Sequence, residues 1–196
     1  MGHLSVDLVN SALESYDKGI MLRPQIFDGS EKLRFLQMEV TDFATELIAR
    51  YQPVAKDLRF IQSVMDAAYG FSRFGRYAYD IAEVLETIGP FPNCDKSQVT
   101  TMAKTVKEMI ELSVISLEKL DKNASQKLYM MDDSVDSIFR NYLKKAITQT
   151  KKRNFEPRCY VSALLVLRYL ERISDHACYI GDCVYYVVTG TPSPRR

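Results

Sequence analysis

The sequence has little of what catalysis usually requires. Its two histidines, His3 and His176, are isolated from each other along the chain, which excludes clustered imidazole ligation. Cys94, Cys159, Cys178 and Cys183 include no C-x-x-C pair, and there is no Cys/His zinc spacing, glycine-rich phosphate loop or nucleophile constellation. The Glu-x-x-His step of ferritin-like carboxylate centres is also missing. No apolar run is long enough to span a bilayer. The segment "MGHLSVDLVNSALESYDKG" is polar and acidic where a secretory leader would be basic and then apolar. Membrane contact is therefore expected only peripherally, through a partner. A formal net charge of +1 gives bulk electrostatics no grip on nucleic acid. A reducing, cytoplasmic setting is expected, with the thiols packed as small hydrophobes.

What the chain has is helical periodicity and enough apolar content, 46% of 196 residues, to build a core. Steps of three and four predict six helices and no strands. The first is expected from about Leu4 to Leu22, ended by Pro24 and a turn at "FDGS". The second should run from Ser30 to Tyr51, and a long third opens at Pro53. Two prolines and a glycine in "IGPFPN" make the strongest break. The fourth is expected over 97–120, the fifth over 125–150, and the sixth from Pro157. Inner stripes read Leu58, Ile61, Met65, Ala68, Gly75, Ala78, Ala82 and Leu85 in the third, and Tyr160, Ala163, Leu167, Leu170, Ala177, Gly181 and Val184 in the sixth. Met130 and Met131, like the tyrosine and phenylalanine stripes, are expected in the core.

The order of elements repeats. "SRFGRYAYDIAE" (72–83) stands opposite "ERISDHACYIGD" (171–182), with Gly75 against Ser174, Ala78 against Ala177 and Ala82 against Gly181. Small side chains permit close helix approach, so both long helices should be central. The expected architecture is all-α: two tandem three-helix bundles, over 1–90 and 95–190, with a disordered tail at 191–196.

Acids beside an apolar stripe raise a separate question. Glu171, Asp175 and Asp182 share one narrow strip of the sixth helix, with Cys178 between the aspartates; Asp132 and Asp136 share a face of the fifth. Crowded carboxylates repel, and a hard or borderline cation such as iron, zinc, manganese or magnesium relieves that repulsion. The plainer possibility is a solvated face whose acids pair with Arg172, Lys144 or Lys145. His176 fits a surface or interhelical hydrogen-bonding group better than a ligand.

"RYQPVAKDLRFI" (50–61), "MDDSVDSIF" (131–139) and "YLERISDHACYIGDCVYYVVTG" (169–190) resemble the signature segments of the PhoU family of phosphate-uptake regulators, and the resemblance spans nearly the whole chain. It implies a pair of three-helix bundles, often dimeric, acting in the cytoplasm as a non-enzymatic regulator. The implied partners are a phosphate ABC transporter component and/or a sensor histidine kinase. It also implies a surface metal site, most often of iron or zinc, which here falls on Asp132, Asp136, Glu171 and Asp175, with Asp182 as a further acidic position. The first half departs from this pattern. Ser72 and Arg76 replace the acids of its long helix, and Thr41 takes the expected aspartate position of the second helix, near Glu39 and Asp42. Asp80 and Glu83 could form only a shifted, weaker site. The alternatives are a metal-free helical adaptor and a carboxylate-bridged metalloenzyme.

Overall fold

A computed structural model describes residues 1–89, 92–150 and 155–194. The described residues form six helices: α1 (Gly2–Lys18), α2 (Arg23–Tyr51), α3 (Ala55–Ile88), α4 (Ser97–Lys119), α5 (Ala124–Gln149) and α6 (Pro157–Thr189). They make two antiparallel three-helix bundles, α1–α3 and α4–α6, which meet chiefly where α3 packs on α6 and secondarily where α1 meets α4. The duplication is thus real in space. Of the tail, 191–194 continues without helix, and 195–196 lie outside the described residues.

One boundary differs from expectation. Pro24 opens α2 instead of ending α1, and the "FDGS" stretch is helical. Proline is tolerated in a helix's first turn because its missing N–H would have no intrahelical acceptor there. Gly29 continues the helix at a point where a Cβ would lie 2.4 Å from Leu8 Cδ2 of α1.

The apolar core runs without interruption through both bundles. It contains Leu33, Phe74, Ile81 and Leu85 from the first, and Leu128, Leu167, Leu170 and Ile173 from the second. The expected stripes are buried at Ala68, Ala78, Ala82, Ala163, Leu167 and Ala177. Leu58, Ile61 and Met65 are only half-buried. The methionine and aromatic expectation is partly corrected. Met131 packs against the core, but Met130 is 63% exposed and Phe35 and Phe43 on α2 are 56% and 62% exposed. Helical spacing alone does not say which stripe faces inward.

A second correction concerns cysteine. Cys94, in the loop before α4, and Cys159, near the start of α6, form a disulfide, with Cα atoms 5.4 Å apart. Cys178 and Cys183 are free and buried. A pair separated by 65 residues leaves no local spacing motif, so only the fold could reveal it.

Candidate functional site

The α5–α6 seam carries the acids that the sequence singled out. Both helices are amphipathic, and small residues on α6 let α5 come close: a Cβ on Gly181 would lie 2.8 Å from Leu128 Cδ1 and 3.2 Å from Ser125 Cα. That approach sets the register. Asp132 feels the charges of Asp175 and Asp136, and Glu171 feels those of Asp175 and Asp136, so the four carboxylates face one another across the seam. Asp182 lies about two turns beyond Asp175 on α6, in the same cleft, a cavity of about 340 Å³ shared with Tyr129, Asp132, Asp133, Asp175 and Cys178.

Burial and mutual repulsion both disfavour the charged forms here. Loss of water pushes Asp132 up from 3.8 to about 6, with Asp175, Asp136 and Asp133 adding to the rise and the Ser174 hydroxyl opposing it. Glu171 and Asp175 are raised as well, each first by loss of water. Desolvation also raises the Cys178 thiol, helped by Asp132, Asp182 and Asp175. The Oδ1 atom of Asp132 is buried without a hydrogen-bond partner.

Arginines meet most of the remaining negative charge. Arg168 Nη1 donates to both Glu171 carboxylate oxygens at 2.6 Å. Arg172 reaches Asp175 at 3.4 Å, and Arg140 reaches Asp136 at 3.6 Å. The Tyr129 hydroxyl donates to Asp182 at 2.8 and 3.0 Å. Among the described residues, no group of three or more His, Cys, Asp or Glu side chains is gathered closely enough to hold a metal ion. The five predicted acids therefore share a seam and a charge environment, but they do not form a closed ligand set. Of the five, Asp132 has a buried oxygen with no hydrogen-bond partner. Arg172 was foreseen as a partner. Arg168 and Arg140 were missed, although R-x-x-E (168–171) and D-x-x-x-R (136–140) are legible as helical ion-pair spacings. Lys145 instead approaches Asp95, at 3.8 Å.

His176 lies in the α3–α6 interface among Tyr69, Tyr77 and Tyr179. Burial, with Arg73 and Arg172 nearby, depresses it to about 4, so it is neutral at pH 7.

The equivalent seam of the first half has the opposite character. Gly75 of α3 meets Leu33 and Ser30 of α2. Facing Ser72 and Arg76 are therefore Ser30, Glu31 and Arg34, in a cleft also bordered by Arg73. Thr41 is not in this cleft. It lies about three turns from Ser30 and its hydroxyl donates to the Gln37 carbonyl at 2.9 Å. Glu39 borders a different groove, with Phe27 and Phe35. Asp80 is bound by Arg76 at 3.0 Å, and Glu83 approaches Arg23 at 3.5 Å. Fixed guanidinium charges occupy the place a cation would need.

An all-helical, internally duplicated protein with an acidic seam in one half and a basic one in the other defines the class as a tandem three-helix-bundle module. Residues 1–85 and 99–184 each match the PhoU domain, and the chain belongs to that family. It is 35% identical, over 80% of its length and 68% of the relative's, to a Synechocystis protein named phosphate-specific transport system accessory protein PhoU homolog. An Aquifex aeolicus protein of the same name is 28% identical over 97% of this chain and 87% of its own. The crystal structure of PhoU from Pseudomonas aeruginosa superposes with a TM-score of 0.88 at 26% identity, covering 97% of this chain and 93% of that one. The phosphate transport system regulatory protein PhoU from Streptococcus pneumoniae, 20% identical, shares the fold with a TM-score of 0.88, over 99% of this chain and 92% of that one.

Proposed function

We propose that this protein regulates phosphate uptake by protein–protein contact, without catalysing a reaction. The observation that carries this reading is the duplicated PhoU fold, together with relatives that are named accessory proteins of phosphate-specific transport. The partner is a phosphate ABC transporter component and/or a sensor histidine kinase, met at the cytoplasmic face of the membrane. No described helix is long and apolar enough to cross a bilayer, so the membrane is reached through the partner. The exposed apolar side chains Phe27, Phe35 and Met38 of α2 share one face of that helix and offer a docking strip. Homodimerisation belongs to the same proposal. In a reducing cytoplasm Cys94 and Cys159 would stand as an adjacent dithiol.

Asp132, Asp136, Glu171 and Asp175, with Asp182 at the edge, are the residues that would hold a metal, with iron or zinc first and manganese or magnesium next. The buried open oxygen of Asp132 supports this, and Arg168 and Arg172 would have to give up Glu171 and Asp175. A bound ion would neutralise the seam and fix α5 against α6. A second reading, a metal-free adaptor, is favoured by the arginines that already neutralise three of the acids.

Binding of the purified protein to reconstituted transporter ATPase and to kinase, at high and low phosphate, tests the regulatory reading. Binding to neither would overturn it. Elemental analysis separates the two readings of the seam. Metal retained by the wild type and lost from Asp132→Ala/Asp175→Ala supports the site, and negligible metal in both leaves the adaptor.

A further inference from the structure

The α2–α3 cleft occupies in the first bundle the place of the acidic seam in the second, and its chemistry is inverted. Three guanidiniums, Arg34, Arg73 and Arg76, border a cavity of about 280 Å³, against one carboxylate, Glu31. Glu31 is committed to Arg34 at 2.8 Å, and Arg76 is half-committed to Asp80. Arg73 has no ion pair among the described residues. Its Nη2 donates to the Tyr77 hydroxyl at 3.0 Å, while its Nε is buried without a hydrogen-bond acceptor.

A buried N–H of a charged group with no acceptor is costly, and a turn of the Arg73 side chain that brings it to a ligand oxygen in the cleft would remove that cost. The Ser30 hydroxyl, also bordering the cleft, adds a second donor without a partner among the described residues. Phe27, Tyr69 and Tyr79 wall the cavity. The volume lies near the lower edge of small-ligand clefts, roughly 300–1,000 Å³. It suits one phosphate group with a small body attached.

We propose that this cleft is an oxyanion site that takes a phosphate group, with Arg73, Arg76 and Ser30 as its donors. Planar guanidinium forks match the oxygens of a phosphate, giving charge-assisted hydrogen bonds. The proposal does not rest on the transporter or kinase reading, because it follows from the cleft alone. The group can arrive as free phosphate or on a phosphorylated small molecule. Equilibrium dialysis of the full chain at low salt, with radiolabelled inorganic phosphate in one arm and labelled glycerol 3-phosphate in the other, separates these sources. Saturable binding in either arm, weakened at least tenfold by Arg73→Gln/Arg76→Gln and unchanged by Arg140→Gln on α5, is the expected result. Ser30→Ala, a milder change, should weaken binding several-fold with helicity unaltered, and it decides the matter if the double variant fails to fold. Absence of saturable binding in both arms, or binding indifferent to Ser30 and the arginines, would overturn the proposal.

Discussion

The two halves share a backbone but differ in the charge along equivalent seams. In α5–α6, four carboxylates face one another, and arginines at the rim hold three of them. In α2–α3, the corresponding α3 positions are Ser72 and Arg76, and arginines dominate. The comparison shows that the bundle specifies the position of a helix pair and leaves its electrostatics free. Small residues at the crossing, Gly75 in one half and Gly181 in the other, set the approach whichever charges border it. A duplicated fold can therefore hold two unlike sites.

The largest effect expected from breaking this comparison lies in the shared core. Phe74 and Ile173 occupy equivalent positions and are fully buried. Phe74→Ala should cost about 3–5 kcal/mol and Ile173→Ala about 2–5 kcal/mol, measured by urea unfolding. Because the core is continuous across the bundles, each variant should shift one cooperative transition. Separate transitions for the two halves would show that the bundles are energetically independent.

Next come the crossing glycines. Gly75→Val and Gly181→Val should each destabilise by about 1–3 kcal/mol through overpacking, since even a Cβ would come within 2.8 Å of Leu33 or Leu128 and within 3.3 Å of backbone. Similar costs in both halves would sharpen the claim that the seams are built alike. Breaking the disulfide with Cys94→Ser should remove about 2–4 kcal/mol under oxidising conditions and have little effect once the wild type is reduced.

The smallest effect concerns the acidic seam. Asp132 has a folded pKa of about 6 against the ordinary 3.8, so the folded state binds more protons than the unfolded one between those values. Its contribution to stability therefore falls as pH rises from about 4 to 6. Asp132→Asn should stabilise the metal-free protein at pH 7 by about 1 kcal/mol, less than the full shift implies because the side chain is only half-buried. It should also flatten that part of the pH profile in thermal melts. A loss of stability at pH 7 would mean that the carboxylate is held by a positive partner.

The helices were legible because burial imposes a 3.6-residue period. Pro53 and Pro157 marked the openings of α3 and α6 to within two residues. The start of α2 was missed because a proline in the first turn of a helix and one that ends a helix look alike in sequence. The acids on α5 and α6 were legible as strips, and their convergence on one seam follows from the antiparallel hairpin.

By itself the sequence determined the all-helical class, the duplication and the residues with unusual charge, because helical period, breaker residues and repeated segments are local properties. Only tertiary structure decided that Cys94 meets Cys159 and that Ser30 and Arg34 rather than Thr41 stand opposite Arg76. Those facts depend on which helix faces which and in what register. A shift of one turn moves every cross-helix pair by about 5.4 Å.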